Sequence, residues 1–164
     1  MQEKPLKHLM GAFKKSKFKK FSKGPRVMIS TGLELSPKHK KIIMKFCKFV
    51  YEMLELTEDY SCFLSANRKA AGIQTTAVCV YDDKKVSVYC KNRSLADILR
   101  SIAHEMFHLR QHEMNLVHHE MPPHHLNPIE WDANIAAGSL LSFFAQKVGR
   151  DKIYESKNRD NIIL

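Results

Sequence analysis

Residues 101–111 read SIAHEMFHLRQ, and positions 104–108 within them follow the pattern HExxH. On an α-helix, positions i and i+4 lie one above the other on the same face. His104 and His108 are therefore placed to bind one metal ion, and Glu105 lies beside them near a metal-bound water. This stretch predicts a helix that carries a metal site.

A catalytic zinc site needs a third protein ligand and one open position for water. The best candidate is Glu130 in NPIEWDANIAA (127–137), 22 residues after His108 and near the start of the next helix. If the connecting loop folds the two helices together, the first turn of the second helix faces the histidines. Two alternatives stay open. Glu130 also lies three residues after Asn127 and could close a capping box, and Asp132 becomes the acidic ligand if the helix is rotated.

The pair HEMFH and EWDAN (130–134) resembles the gluzincin branch of zinc metallopeptidases, in which a helix carrying E-x-x-A-D or E-x-x-x-D follows HExxH. The order of elements is similar to that of minigluzincins and IrrE/ImmA-like proteases over roughly residues 75–145. The resemblance implies an α+β, zincin-like fold. Such a fold has a small antiparallel-containing sheet, an N-terminal helix, an HExxH active-site helix and a following glutamate-ligand helix.

The same resemblance implies a zinc-dependent metallopeptidase that hydrolyses peptide bonds of a protein or peptide substrate. His104, His108 and Glu130 would bind Zn²⁺, and Glu105 would act as general base. Asn134 falls where the family often has an aspartate that hydrogen bonds to a ligand histidine, here His104. An amide accepts that bond but brings no charge, so we expect weaker zinc affinity and activity.

The loop between the two helices supplies a competing set of ligands. SprT-like proteases, which act on proteins crosslinked to DNA, also use HExxH but take a downstream histidine as third ligand. Four histidines are at suitable distances along the chain: His118, His119, His124 and His125. One of them, or Tyr154, is also a candidate for stabilising an oxyanion. A third hypothesis is a non-catalytic, zinc-containing protein that binds nucleic acid or a larger assembly.

Helix boundaries can be read from capping residues. Ser36-Pro37 begins a helix that we expect to reach about Leu56, with Ile42, Ile43, Phe46 and Val50 among its buried residues. Ser94 opens the HExxH helix with a capping-box-like S-x-x-D and the helix runs to about Met114. Asn127-Pro128 begins the next helix, which ends near Gly149 in an αL conformation.

Three apolar runs predict strands. The first is Ser61–Leu64, and the other two, residues 75–81 and 86–90, flank a polar connection at 82–85. Alternating β-branched and aromatic residues around a short polar turn predict an antiparallel hairpin.

The basic residues are concentrated at the N-terminus. Residues 1–26 hold nine lysines and arginines against one acid, while the other 138 residues carry a net charge of only +2 out of the total +10. Lysines alternate there with phenylalanines, so residues 4–26 are a candidate arm for nucleic acid or another polyanion. We therefore expect a basic arm at 1–26, a zincin-like domain at 27–149 and a C-terminal tail at 150–164.

Composition agrees with an ordinary globular protein, with 44% hydrophobic and 27% charged residues. No apolar run approaches the ~18 residues of a membrane span, and no secretory signal is recognised. The four cysteines form no C-x-x-C pair and are typical of a reducing compartment. These features predict a cytoplasmic protein.

Overall fold

Capping residues begin the three long helices at the predicted positions. In the computed structural model, which describes residues 25–117, 127–154 and 162–163, the Ser36 hydroxyl accepts from the His39 N–H at 3.1 Å and begins α1 (Pro37–Met53). Ser94 caps α2 (Leu95–Glu113), and Asn127 caps α3 (Pro128–Val148). A short α4 (Asp151–Tyr154) follows.

Four strands form a mixed sheet in the order β1-β2-β4-β3. They are β1 (Arg26–Ile29), β2 (Ser61–Ser65), β3 (Ala77–Val80) and β4 (Lys85–Tyr89). The predicted antiparallel hairpin is confirmed as β3–β4, whereas β1–β2 and β2–β4 are parallel pairs. This arrangement makes β3 one edge of the sheet. A small mixed sheet packed with helices is compatible with the α+β class.

A second, two-stranded sheet includes the end of the chain. Strand β5 (Arg93–Ser94) pairs antiparallel with β6 (Ile162–Ile163), immediately before α2 begins. Ile153 of α4 and Ile163 are both buried in the hydrophobic core. Parts of the expected tail therefore pack against the domain.

The core lies between the sheet and the helices. The apolar stripe of α2 is fully buried, as its helical spacing predicts, with Leu95, Ile98, Leu99, Ile102 and Met106 no more than 1% exposed. On the sheet, alternate residues of β2 are buried, as expected when one face is covered. Phe144 of α3 packs edge-on against Phe46 of α1, with ring centroids 5.0 Å apart.

Small residues allow α2 and α3 to pack closely, and the contact between these two helices is the most extensive between any two described elements. Ala133 and Ala137 of α3 are completely buried, and side chains of this size let the backbones of two helices approach closely. Gly138 does not share this role, because a Cβ added there would meet nothing within 4 Å. Gly149 ends α3 with φ 103° and ψ 120°, a positive-φ conformation that differs from the predicted αL.

The C-terminal turn of α2 is tied to the segment before β2 by Glu113. Its carboxylate accepts hydrogen bonds from the Tyr60 hydroxyl at 2.7 Å and from the backbone N–H groups of Thr57 and Glu58 at 3.1 and 3.2 Å. Arg110 lies 3.4 Å from the same carboxylate. These contacts fix the end of α2 relative to the sheet.

Two further sequence predictions concern the basic arm and membrane-spanning segments. The arm lies outside the described residues except for Pro25 and Arg26, so its proposed contact with polyanions stays a prediction. Within residues 25–117, 127–154 and 162–163, no helix combines the length and apolar character needed to cross a membrane.

Candidate metal centre

Helix α2 brings the two motif histidines together. His104 and His108 are four residues apart, and their Nε2 atoms are separated by 3.0 Å. The rings meet edge-on, with an interplanar angle of 86°. His108 is buried, whereas His104 is partly open to an adjoining cavity. The helical register therefore directs both Nε2 atoms at one point, as the motif predicts.

The first turn of α3 adds a carboxylate to this point. Glu130 Oε2 lies 3.2 Å from His104 Nε2, and Glu130 Oε1 lies 3.2 Å from His108 Nε2. Asn127 caps this helix, since its Oδ1 accepts from the Ile129 N–H at 3.0 Å. The glutamate is thus directed at the histidines.

These three side chains form a group that could hold a metal ion. Their donor atoms lie within 4.8 Å of one another. Ligand atoms bound to a tetrahedral zinc ion at its usual bond lengths are separated by about 3.3 Å, close to the separations found here. Two imidazole nitrogens and a carboxylate that converge in this way would repel one another through their lone pairs unless a proton or cation lay between them. The residues therefore fit a divalent cation.

Gln111 orients His108 and joins the two ligand-bearing helices. Its Oε1 atom lies 2.8 Å from His108 Nδ1, and its Nε2 atom donates to the Ile129 carbonyl at 3.0 Å. With the amide nitrogen committed to Ile129, the amide oxygen accepts the Nδ1–H of His108. The lone pair of His108 Nε2 is thereby directed towards His104 and Glu130, as a metal ligand requires.

His104 has a corresponding neighbour in Asn134. Burial and the adjacent His108 lower the pKa of His104, against opposing effects from Glu130 and from a hydrogen bond with the Asn134 side chain. A lowered pKa favours the neutral imidazole, which is the form that binds metals. Asn134 thus contacts the histidine named for it from the sequence.

Glu105 lies beside the three donors but outside the group they form. Burial, helped by the negative charge of Glu130, raises the pKa of Glu105 to about 7, although a hydrogen bond with the Cys79 backbone acts in the opposite direction. A carboxylate with a pKa near 7 can both take up and release a proton at neutral pH. This carboxylate is therefore suited to proton transfer.

A cavity of about 760 Å³ opens onto these residues. One wall is the chain from Thr75 to Cys79, which includes most of β3, and the floor is the α2 segment from Arg100 to His108. Glu130 and Asn134 of α3 complete the lining near the histidines. The edge of the sheet thus runs past the candidate metal centre.

The other candidates from the sequence lie elsewhere. Asp132 is exposed and belongs to no metal-ligand group among the described residues. Tyr154 is 41% exposed, contacts the Arg150 guanidinium at 5.3 Å, and is not part of the cavity wall. The four loop histidines lie outside the described residues.

Sequence reasoning missed three residues at this site. Gln111 follows His108 by three positions, so helical spacing alone could have placed it on the same face. Tyr81 lines the cavity and stacks on His112, with ring centroids 4.5 Å apart and planes at 8°. Arg100 lines the cavity one turn before His104. Tyr81 had no local signal, because its position depends on how the hairpin packs against α2.

Comparisons with known proteins identify no relative of this chain. No protein-family model, no curated protein and no solved structure matches it.

Proposed function

We propose that this protein is a zinc-dependent metallopeptidase with a zincin-like, gluzincin-type centre. The observation that carries the proposal is the convergence of His104, His108 and Glu130 on one point, with Glu105 beside them and a cavity in front. Two imidazoles and a glutamate are a ligand set typical of catalytic zinc. Structural zinc sites use four protein ligands, whereas the described residues offer three here.

In the proposed reaction, zinc would activate a water for attack and polarise the scissile carbonyl. Glu105 takes the proton from the attacking water and delivers it to the leaving amine. Its raised pKa suits both steps, because the group must accept a proton and then release it. Gln111 and Asn134 hold the ligand histidines in orientation, each through a hydrogen bond.

The edge strand supports an extended peptide as substrate. The Thr76 carbonyl accepts from the Tyr89 N–H at 2.9 Å. Because hydrogen-bonded and non-hydrogen-bonded positions alternate along an antiparallel pair, the N–H and C=O groups of Ala77 and Cys79 point away from β4. The Cys79 backbone already hydrogen bonds to the Glu105 side chain. The backbone groups of Ala77 therefore face outward beside the cavity. A peptide that paired with this edge would pass directly over the histidines.

The first experiment measures zinc per chain in the wild type, in Glu130→Gln and in the matched control Asp132→Asn. We expect about one zinc in the wild type and the control, and a sharp loss in Glu130→Gln. Zinc retained in Glu130→Gln would favour a loop histidine as third ligand, as in the SprT-like alternative. Absence of zinc from the wild type would contradict the proposal.

A second measurement tests catalysis. Glu105→Gln is expected to keep its zinc and to cleave a degenerate peptide library at least about 100-fold more slowly than the zinc-loaded wild type. Loss of zinc from Glu105→Gln would contradict its role as a base that does not bind metal. A zinc-loaded wild type that cleaves no member of the library would favour the non-catalytic binding protein.

A further inference from the structure

We propose that Arg100 selects substrates that carry a carboxylate on the C-terminal side of the scissile bond. This inference rests on the proposed peptidase function and adds a substrate class to it. The carboxylate has two possible sources, an acidic side chain or the C-terminus of a short peptide.

The position of Arg100 in the cavity is the first observation. It lies on the cavity floor, exposed, four residues before His104 on the same helix. Along the helix axis, Arg100 and His104 are therefore about 6 Å apart. Two residues of an extended peptide span about the same length. Its guanidinium is the only arginine or lysine group among the described residues that line the cavity.

The second observation is that Arg100 makes no ion pair and no hydrogen bond with any residue in the described part of the chain. Nearby Arg93 differs. Its guanidinium donates to the Tyr89 carbonyl at 2.7 Å, to the Ser101 hydroxyl at 2.9 Å and to the Asp97 carbonyl at 3.1 Å. Arg93 is a structural residue, whereas the Arg100 guanidinium makes no such contacts among the described residues.

Two contacts determine which end of a bound peptide would reach Arg100. Cys79 contacts Glu105, and Tyr81, two residues further along the hairpin, stacks on His112. Strand β3 therefore runs in the same direction as α2. A peptide paired antiparallel to β3, the more stable pairing per residue, has its C-terminal side towards Arg100.

Carboxylates match this site chemically. An arginine guanidinium binds a carboxylate through two parallel hydrogen bonds, and both groups are charged at neutral pH. Hydrogen-bonding side chains border the same end of the cavity, among them Gln74, Thr75 and Thr76. An acidic group one or two residues beyond the scissile bond would meet a cation and neutral donors there.

The test measures the affinity of the zinc-loaded protein for peptide hydroxamates in which the hydroxamate replaces the scissile bond. Four probes extend by two residues on the C-terminal side, ending in Ala-Asp-amide, Ala-Asn-amide, Ala-Lys-amide and Ala-Ala with a free carboxylate. We expect one or both carboxylate probes to bind the wild type about tenfold more tightly than the Ala-Asn-amide probe. The comparison of the two acidic probes distinguishes side chain from chain end.

Three variants complete the test. Arg100→Gln should lose the tenfold preference while keeping zinc and the affinity for the Ala-Asn-amide probe. Arg100→Glu should prefer the Ala-Lys-amide probe over the acidic ones. The matched control Arg26→Gln removes the same charge from β1, at the sheet edge opposite β3, and should behave as the wild type.

The outcomes separate this inference from the proposed function. Equal affinity of the zinc-loaded wild type for acidic and neutral probes, or an unchanged preference in Arg100→Gln, would overturn the role of Arg100 and leave the metal centre standing. A protein that binds no zinc, or binds zinc but no hydroxamate, would overturn both.

Discussion

His108 Nδ1 and Gln111 Oε1 lie 2.8 Å apart, and the same glutamine amide donates to the Ile129 carbonyl at 3.0 Å. One buried side chain therefore sets the proton of a candidate ligand and holds the first turn of α3, where Glu130 lies. The ligand geometry depends on this link between two helices.

Removing the link should weaken metal binding. Gln111→Leu keeps the volume of the side chain but leaves His108 Nδ1 and the Ile129 carbonyl without their partner. We expect zinc affinity to fall by about 10- to 100-fold, as for other residues that orient metal ligands, and the free energy of unfolding of the metal-free protein to fall by about 1–3 kcal/mol. Chelator competition and urea denaturation measure the two effects.

Gln146→Leu provides the control, because this glutamine is exposed on α3 and receives the same substitution. It should change neither quantity. Unchanged zinc affinity in Gln111→Leu would show that His108 does not need this hydrogen bond for its orientation.

Asn134→Asp should strengthen metal binding. A carboxylate in place of the amide would give His104 a charged hydrogen-bond partner, which makes the imidazole a more basic ligand. We expect zinc affinity to rise by up to about tenfold, measured by chelator competition. Asn92→Asp is the control, since Asn92 lies in an exposed turn before α2. An affinity equal to that of the wild type would mean that the charge at position 134 has no influence on the site.

Glu113 should make stability depend on pH. Burial alone would raise the pKa of Glu113, but hydrogen bonds from the Tyr60 hydroxyl and from the backbone N–H groups of Thr57 and Glu58 outweigh it, and the pKa is lowered. Because the pKa is lowered in the folded state, the ionised Glu113 side chain stabilises the fold, and this contribution to stability is fully present above the unfolded-state pKa. It is lost as pH falls through the folded-state pKa of Glu113.

We therefore expect Glu113→Gln to lose about 1–3 kcal/mol of unfolding free energy at pH 7. The difference from the wild type should shrink as pH falls below about 4.3, the usual glutamate pKa. Urea denaturation of the metal-free protein across this pH range measures it. Glu52→Gln, which removes only an exposed contact with Lys48 at 3.9 Å, should cost little at any pH. A difference that stays constant with pH would contradict the role of the Glu113 charge.

Local sequence patterns predicted the helices and the ligand group because these features depend on short separations along the chain. Ser36, Ser94 and Asn127 each begin a helix through a capping bond that lies within three residues. His104 and His108 converge because helical geometry fixes positions four apart. Glu130 was predicted because a catalytic zinc site requires a third protein ligand, and this glutamate lies near the start of the next helix.

The parallel strand pairs were beyond such reasoning. Strand β2 pairs with β4, although β3 comes between them in the chain, and no local pattern records that register. Strand β1 has only four residues and begins at the last residue of the basic arm, so its alternation was too short to recognise. The contact of Cys79 with Glu105 has the same origin, since it depends on how the sheet edge packs against α2.

The buried alanines of α3 have a consequence for the choice of metal. Ala133 lies three positions after Glu130, on the same face of α3, and is completely buried. A larger side chain at this position would move the two helix axes apart and would carry the carboxylate away from the imidazoles. In the proposed metal centre, the preferred ionic radius would thus depend partly on side chains that have no donor atom, and metal selectivity could be changed by methyl groups alone.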